Sequence, residues 1–132
     1  MLNLEIVTPA KKVLSETVDS VTVPTASGEV GILSNHAPLI SSLKPGILTV
    51  NKSGSTEKMF VAGGFVEVSS NKVSILTDVA EKSDEIDIEA AKVEKAEAEK
   101  VLGAWKEGSE EEFGVENERL ERAQARLQLA GK

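Results

Sequence analysis

Apolar and polar residues alternate with a period of two through the first part of the chain. Leu2, Leu4 and Ile6 are spaced by Asn3 and Glu5, which predicts a half-buried strand over residues 2–8. The same reading predicts strands near 13–18, 20–24, 31–33, 47–51, 58–62, 65–69 and 72–76. These short runs, rich in Val, Ile and Thr and separated by turn residues, predict an antiparallel β-sandwich of about eight to ten strands over residues 1–83. Two connections read as hairpins: Lys52-Ser53-Gly54-Ser55, where glycine supplies a positive φ, and Ser70-Asn71. Gly63-Gly64 reads as a tight bend or close backbone approach rather than a phosphate loop, because no helix start follows it.

The period changes after Asp84. All four prolines lie before it, and beyond it Ala, Glu, Lys and Arg dominate with apolar residues at threes, fours and sevens. Asp87 is a candidate N-cap, preceded by Ile86 and followed by Glu89 in the first turn, and the helix should run to about Leu102. Gly103, Gly108, Ser109 and Gly114 are expected to bracket a polar turn. Phe113, Leu120, Ala123, Leu127 and Ala130 then mark a second helix, so residues 84–132 should form an antiparallel two-helix hairpin. The first helix offers Ala91, Ala98, Leu102 and Trp105 as its apolar stripe. A face so dependent on alanine buries little against the cost of ordering about fifty residues, and marginal docking is expected.

Composition narrows the possible functions. A chain of 132 residues suits one domain with an appendage. No run approaches the roughly 20 apolar residues of a membrane span, and the alternating N-terminus is unlike a signal peptide, so a soluble, unprocessed chain is expected. With no cysteine there are no disulfides, thiolate nucleophiles or thiolate metal ligands. The net charge of −7 disfavours nucleic acid as a partner. That charge is local: residues 1–83 carry a net −1 and residues 84–132 a net −6.

Candidate chemistry is sparse. The single histidine, His36, sits two residues from Ser34, but nucleophilic catalysis needs an orienting third group and an oxyanion site. A loop histidine satisfying backbone groups or a partner is the favoured reading. One imidazole without thiolates also argues against a metal site. Gly28-Glu29-Val30-Gly31 lacks the lysine and the helix start of a P-loop, and Asn51-Lys52-Ser53 is a sequon by coincidence. Arg119, Arg122 and Arg126 fall on one stripe of the second helix. They read either as a solvated face with a Glu118–Arg122 pair, or as cations meeting phosphate or an acidic partner.

The segment Gly28-Glu29-Val30-Gly31-Ile32-Leu33-Ser34-Asn35-His36-Ala37-Pro38-Leu39, followed by Leu43-Lys44-Pro45-Gly46, resembles the signature of epsilon subunits of F-type rotary ATP synthases. Val61-Ala62-Gly63-Gly64-Phe65-Val66-Glu67-Val68, the later Val73-Ser74-Ile75-Leu76 strand and the Ile86-Asp87 helix start follow in the family's order. The resemblance covers essentially the whole chain.

This resemblance implies a non-catalytic rotor subunit of a proton-translocating ATP synthase, without cofactor or metal. Its partners would be the gamma subunit and the c-ring, with alpha and beta reached through the hairpin. It would sit as a peripheral protein on the cytoplasmic face of a bacterial inner membrane, or on the matrix or stromal face in an organelle. By similarity, Ser27, Gly28 and Glu29 with His36, Ala37 and Pro38 are candidates for contact with the ring. In some members the hairpin extends beside the shaft and inhibits hydrolysis, which makes Arg119, Arg122 and Arg126 candidates for an inhibitory contact. Some relatives bind ATP through Ile/Leu-Asp-x-x-Arg-Ala plus second-helix arginines. Here Ala90 stands at the arginine position and Glu94 and Glu97 follow, so no useful ATP site is expected. The alternative of another class is a free-standing ATP-sensing module. A hydrolase centred on His36 ranks below it.

Overall fold

The structure is a computed structural model that describes residues 1–105 and 110–131. Ten strands precede two helices: β1 Leu2–Val7, β2 Lys12–Val18, β3 Ser20–Thr25, β4 Gly28–Ile32, β5 Leu39–Ser42, β6 Gly46–Lys52, β7 Ser55–Ala62, β8 Phe65–Ser69, β9 Lys72–Leu76 and β10 Val79–Lys82. They form two five-stranded sheets, ordered β2-β1-β9-β8-β5 and β10-β7-β6-β3-β4. Neighbours run antiparallel except β1 and β9, which are parallel.

Alternation places the core between the sheets. Leu2, Leu4 and Ile6 of β1 meet Val66, Val73 and Ile75 of the same sheet and Val21, Val23, Leu48 and Val61 of the other, each at most 1% exposed. Glu16 shares the inward row, being paired with Leu4 across β1–β2, and reaches Lys52 at 3.2 Å where the two sheets' margins meet. An inward charge on edge strand β2 discourages further strand pairing there.

The turns follow local chemistry. Ser53 and Gly54 have φ of 49° and 82° and close the β6–β7 hairpin. A Cβ on Gly64 would collide with the Leu76 carbonyl, so Gly63-Gly64 is the close backbone approach that the sequence predicted. Two strands escaped the sequence reading. In β5, Pro38 precedes the strand and Ile40 points outward at 72% exposure, which obscures the alternation. β10 is a four-residue edge strand whose Val79 and Ala80 interrupt the period.

A 3-10 turn at Ser83–Glu85 leads to α1, Ile88–Gly103, whose N-cap Asp87 accepts from the Ala90 amide at 3.0 Å. α2 spans Glu110–Leu129. Gly103 ends α1, but Gly114 lies inside α2 and does not bracket the turn as expected. Three consecutive glutamates, Glu110–Glu112, favour starting the helix ahead of it. Gly108 and Ser109 lie outside the described residues.

The hairpin rests on the outer face of the second sheet. Phe60 and Ala62 of β7 point away from the sandwich core yet are 0% exposed, because Ala125 and Leu129 of α2, the following Ala130 and Ile86 cover them. Burial on both faces explains why Met59-Phe60-Val61-Ala62 is a continuous apolar run.

Candidate functional site

The two candidate contact segments, Ser27–Glu29 and His36–Pro38, lie at opposite ends of β4. At one end Ala26 and Ser27 form the turn from β3, and Gly28 follows at φ 108°, a conformation that favours glycine. Buried Thr25 braces it: its hydroxyl donates to the Gly28 carbonyl at 2.6 Å and accepts from the Ser27 amide at 3.2 Å. The Ala26 amide donates to Ser42 O and the Lys44 amide to Pro24 O, so this end borders the far end of β5. Glu29 is exposed and lines a cleft of about 500 Å³ between the second sheet and α2, together with Lys44, Lys58, Glu121, Gln124 and Gln128.

At the other end, Asn35 takes φ 62° and its amide donates to Asn71 Oδ1 at 2.6 Å, tying the loop to the β8–β9 turn. His36 Nδ1 lies 2.7 Å from the carbonyl oxygen of Ala37, a backbone partner adjacent in the chain. Flanking His36, Ala37 and Pro38 are Leu33 and Ile40, 64% and 72% exposed. The first end is therefore charged and the second apolar. Five residues of strand at about 3.3 Å each separate them by roughly 16 Å. The structure does not bring Ser27–Glu29 and His36–Pro38 into one patch.

The arginine stripe has partners throughout. Arg119 donates through Nε to Glu94 and through Nη2 to Glu97, both on α1. The Glu94 carboxylate is held below its ordinary 4.5, chiefly by that hydrogen bond, and Arg119 is pushed above its usual range by the two carboxylates. Arg122 pairs with Glu118 one turn back at 3.0 Å, as the spacing predicted. Arg126 leaves the hairpin altogether, donating to Glu81 of β10 at 2.8 Å with its guanidinium carbon 4.7 Å from the Phe60 ring centre. The Glu118–Arg122 pair of the solvated-face reading is present, while Arg119 and Arg126 also reach carboxylates on other elements. Sequence reasoning missed Glu81 and Phe60; the available signal was an unbroken apolar run at a strand end, which implies a cover on the outer face. Ala90 is exposed, and its amide serves the Asp87 cap.

The comparisons with known proteins bear on this arrangement. The family described as "ATP synthase, Delta/Epsilon chain, beta-sandwich domain" matches residues 1–83. This chain belongs to the ATP synthase delta/epsilon family. The ATP synthase epsilon chain of Geobacter sp. (strain M21) is 45% identical over 131 residues, covering 99% of this chain and 94% of the relative. That of Desulforamulus reducens is 49% identical over 107 residues, 81% of this chain and 80% of the relative. Among solved structures, a chain of the Euglena gracilis mitochondrial ATP synthase, described as OSCP/F1/c-ring in rotational state 1, superimposes with a TM-score of 0.83. It is 28% identical, and the match covers 99% of this chain and 81% of that one. A chain of the Tetrahymena thermophila central stalk and c-ring shares the fold at a TM-score of 0.72 and 15% identity. The epsilon likeness therefore extends past the sandwich through the hairpin. Among the described residues no helix is long and apolar enough to cross a membrane.

Proposed function

We propose that the chain is a non-catalytic rotor subunit of an F-type ATP synthase that couples c-ring rotation to the gamma shaft. One observation carries this reading: a full-length likeness both to epsilon chains and to a chain within an F1/c-ring assembly. The sandwich suits the task because a close-packed core resists shear. The candidate segments lie at opposite ends of β4, so in this reading the ring contact has two parts. The charged end, with Ser27, Gly28 and Glu29 beside Lys44 and Lys58, is the ring contact in this reading. The apolar end, with His36, Ala37 and Pro38 beside the exposed Leu33 and Ile40, is the second part of the ring contact in the same reading. Such a subunit works as a peripheral protein, on the cytoplasmic face of a bacterial membrane or its organellar equivalent.

The experiment is to purify the assembled synthase with Glu29→Lys and measure ring retention and ATP-driven proton pumping. Reduced pumping with gamma still bound supports the assignment, and unchanged coupling removes it. In the same reading the hairpin restrains hydrolysis by alpha and beta, so deleting residues 84–132 raises ATPase activity of the complex; an unchanged rate refutes that role. The competing ATP-sensor reading needs free cations, but Arg119, Arg122 and Arg126 are engaged by carboxylates and Ala90 offers only a methyl group. Calorimetry on the isolated chain should find no micromolar ATP binding.

A further inference from the structure

The loop between β4 and β5, residues 33–38, crosses from one sheet to the other and carries His36, Ala37 and Pro38. Its ends are seated, because Ile32 is buried in the core and Leu39 packs against it. Between those ends one hydrogen bond reaches another element. The Asn35 amide donates to Asn71 Oδ1 at 2.6 Å, and among the described residues no other hydrogen bond ties 33–38 to the rest of the domain. The contact of His36 Nδ1 with the Ala37 carbonyl oxygen stays inside the loop.

Asn71 is itself well anchored. It is the second residue of the two-residue turn between β8 and β9, and its carbonyl accepts from the Asn3 amide at 2.8 Å, in β1. Its backbone is thus fixed among β8, β9 and β1 while its side chain serves the loop. Backbone strain gathers at the same place. Among the described residues three that are not glycine have a positive φ, and two of them, Asn35 at 62° and Ser70 at 53°, stand at the two ends of this bridge. Side chains disfavour left-handed backbone, so such residues persist where their surroundings hold them.

We infer that Asn71 is a positioning residue: by fixing the Asn35 amide it holds the His36–Pro38 loop in the shape that meets its partner, without touching the partner itself. The inference rests on the ring-contact reading. It adds a residue from another hairpin, 36 positions away in the chain. The bond is exposed, so water competes with it, and its loss should shift the loop's equilibrium by roughly three- to tenfold while the sandwich stays folded.

The test compares Asn71→Leu, which removes the acceptor, with Asn71→Asp, which keeps an acceptor oxygen; both retain the backbone bond to Asn3. In the isolated full-length chain, Asn71→Leu should speed hydrogen exchange of the Asn35 amide by that factor and Asn71→Asp should restore it, with the Ile75 amide unchanged in both. In synthase prepared without the chain and reconstituted with each variant, Asn71→Leu should raise the chain concentration giving half-maximal ATP-driven proton pumping by the same factor, and Asn71→Asp should return it. A bond serving stability alone would lower the denaturant midpoint and leave that concentration unmoved. His36→Ala leaves the bridge intact and separates the two readings. If it raises the half-maximal concentration and Asn71→Leu does not, the positioning role is overturned and the ring contact stands. If neither variant raises it, both are overturned. Unchanged exchange at Asn35 in Asn71→Leu also overturns the inference.

Discussion

Phe60 offers the sharpest test of how the two parts of the chain are joined. It lies on β7 with Val61, but Val61 faces the sandwich core and Phe60 faces α2; both are 0% exposed. Truncating a buried phenylalanine to alanine costs about 3–5 kcal/mol in a closed core. Part of that loss falls on contacts within the sheet, since Ile47 and Glu81 flank Phe60 across the strands. The share lost to docking is the transfer of roughly one large side chain's helix-facing half, about 2 kcal/mol, or roughly 30-fold in the docking equilibrium. Native-state hydrogen exchange on Phe60→Ala resolves this. Amides around Ala123–Leu129 should exchange roughly 30-fold faster, because a released short hairpin holds its helices poorly. Amides of Leu4 and Ile75, between the sheets, should change far less. Val61→Ala should do the reverse and loosen the sandwich itself. If Phe60→Ala accelerated exchange equally in both regions, or left α2 untouched, the hairpin would be part of the same cooperative unit and the argument would fail.

Three further outcomes follow. Gly64→Ala drives a methyl group onto the Leu76 carbonyl at φ 83°, so its denaturant midpoint should fall by an amount equivalent to more than about 3 kcal/mol; an unchanged midpoint would refute the close approach. Asp87→Ala removes the cap on the Ala90 amide and should cost about 1 kcal/mol, read as reduced helical circular dichroism with an intact sandwich. In acid titration, Glu94 has a folded value below its ordinary 4.5, so its contribution is complete above 4.5 and is lost as pH falls through the lower folded value. Acid loosening of the helix pair should therefore begin below pH 4.5 in the native chain and be reduced in Glu94→Gln, while identical acid profiles would count against a stabilising Arg119–Glu94 pair.

Much of the fold was legible because its determinants are local. Leu2-x-Leu4-x-Ile6 can bury one face only as a strand, Ser53-Gly54 can turn only one way, and Asp87 before Ile88 caps a helix. β5 and β10 were not legible, because an edge strand needs only one partner and its pattern can lapse, as Ile40 shows. The site was less legible than the fold. Glu29 and His36 are seven residues apart in sequence and suggest one patch, but the extended strand between them sends them to opposite ends. The arginines showed their spacing and hid their partners. Glu81 lies 45 residues from Arg126, and nothing local to either marks the pair. Pairings of that kind are set by tertiary packing.

The position of β4 also bears on how force would cross the domain. β4 is an edge strand, hydrogen-bonded to β3 alone, and it is the shortest covalent route between the Ser27–Glu29 turn and the His36–Pro38 loop. A pull applied at one end and resisted at the other would tend to peel such a strand from its sheet. Two contacts oppose peeling. Ile32 is 0% exposed in the core at one end, and at the other Thr25, itself bridged to Leu43 of the opposite sheet's connection, grips the Gly28 carbonyl. Force entering at Glu29 therefore passes through Thr25 into both sheets, rather than along β4 alone. The core between Val21, Val23 and the β8–β9 pair then carries it to the loop at His36. Stiffness between the two ends is a property of the packed sandwich, so a coupling function would be more sensitive to how Thr25 and Ile32 seat than to the length of either loop.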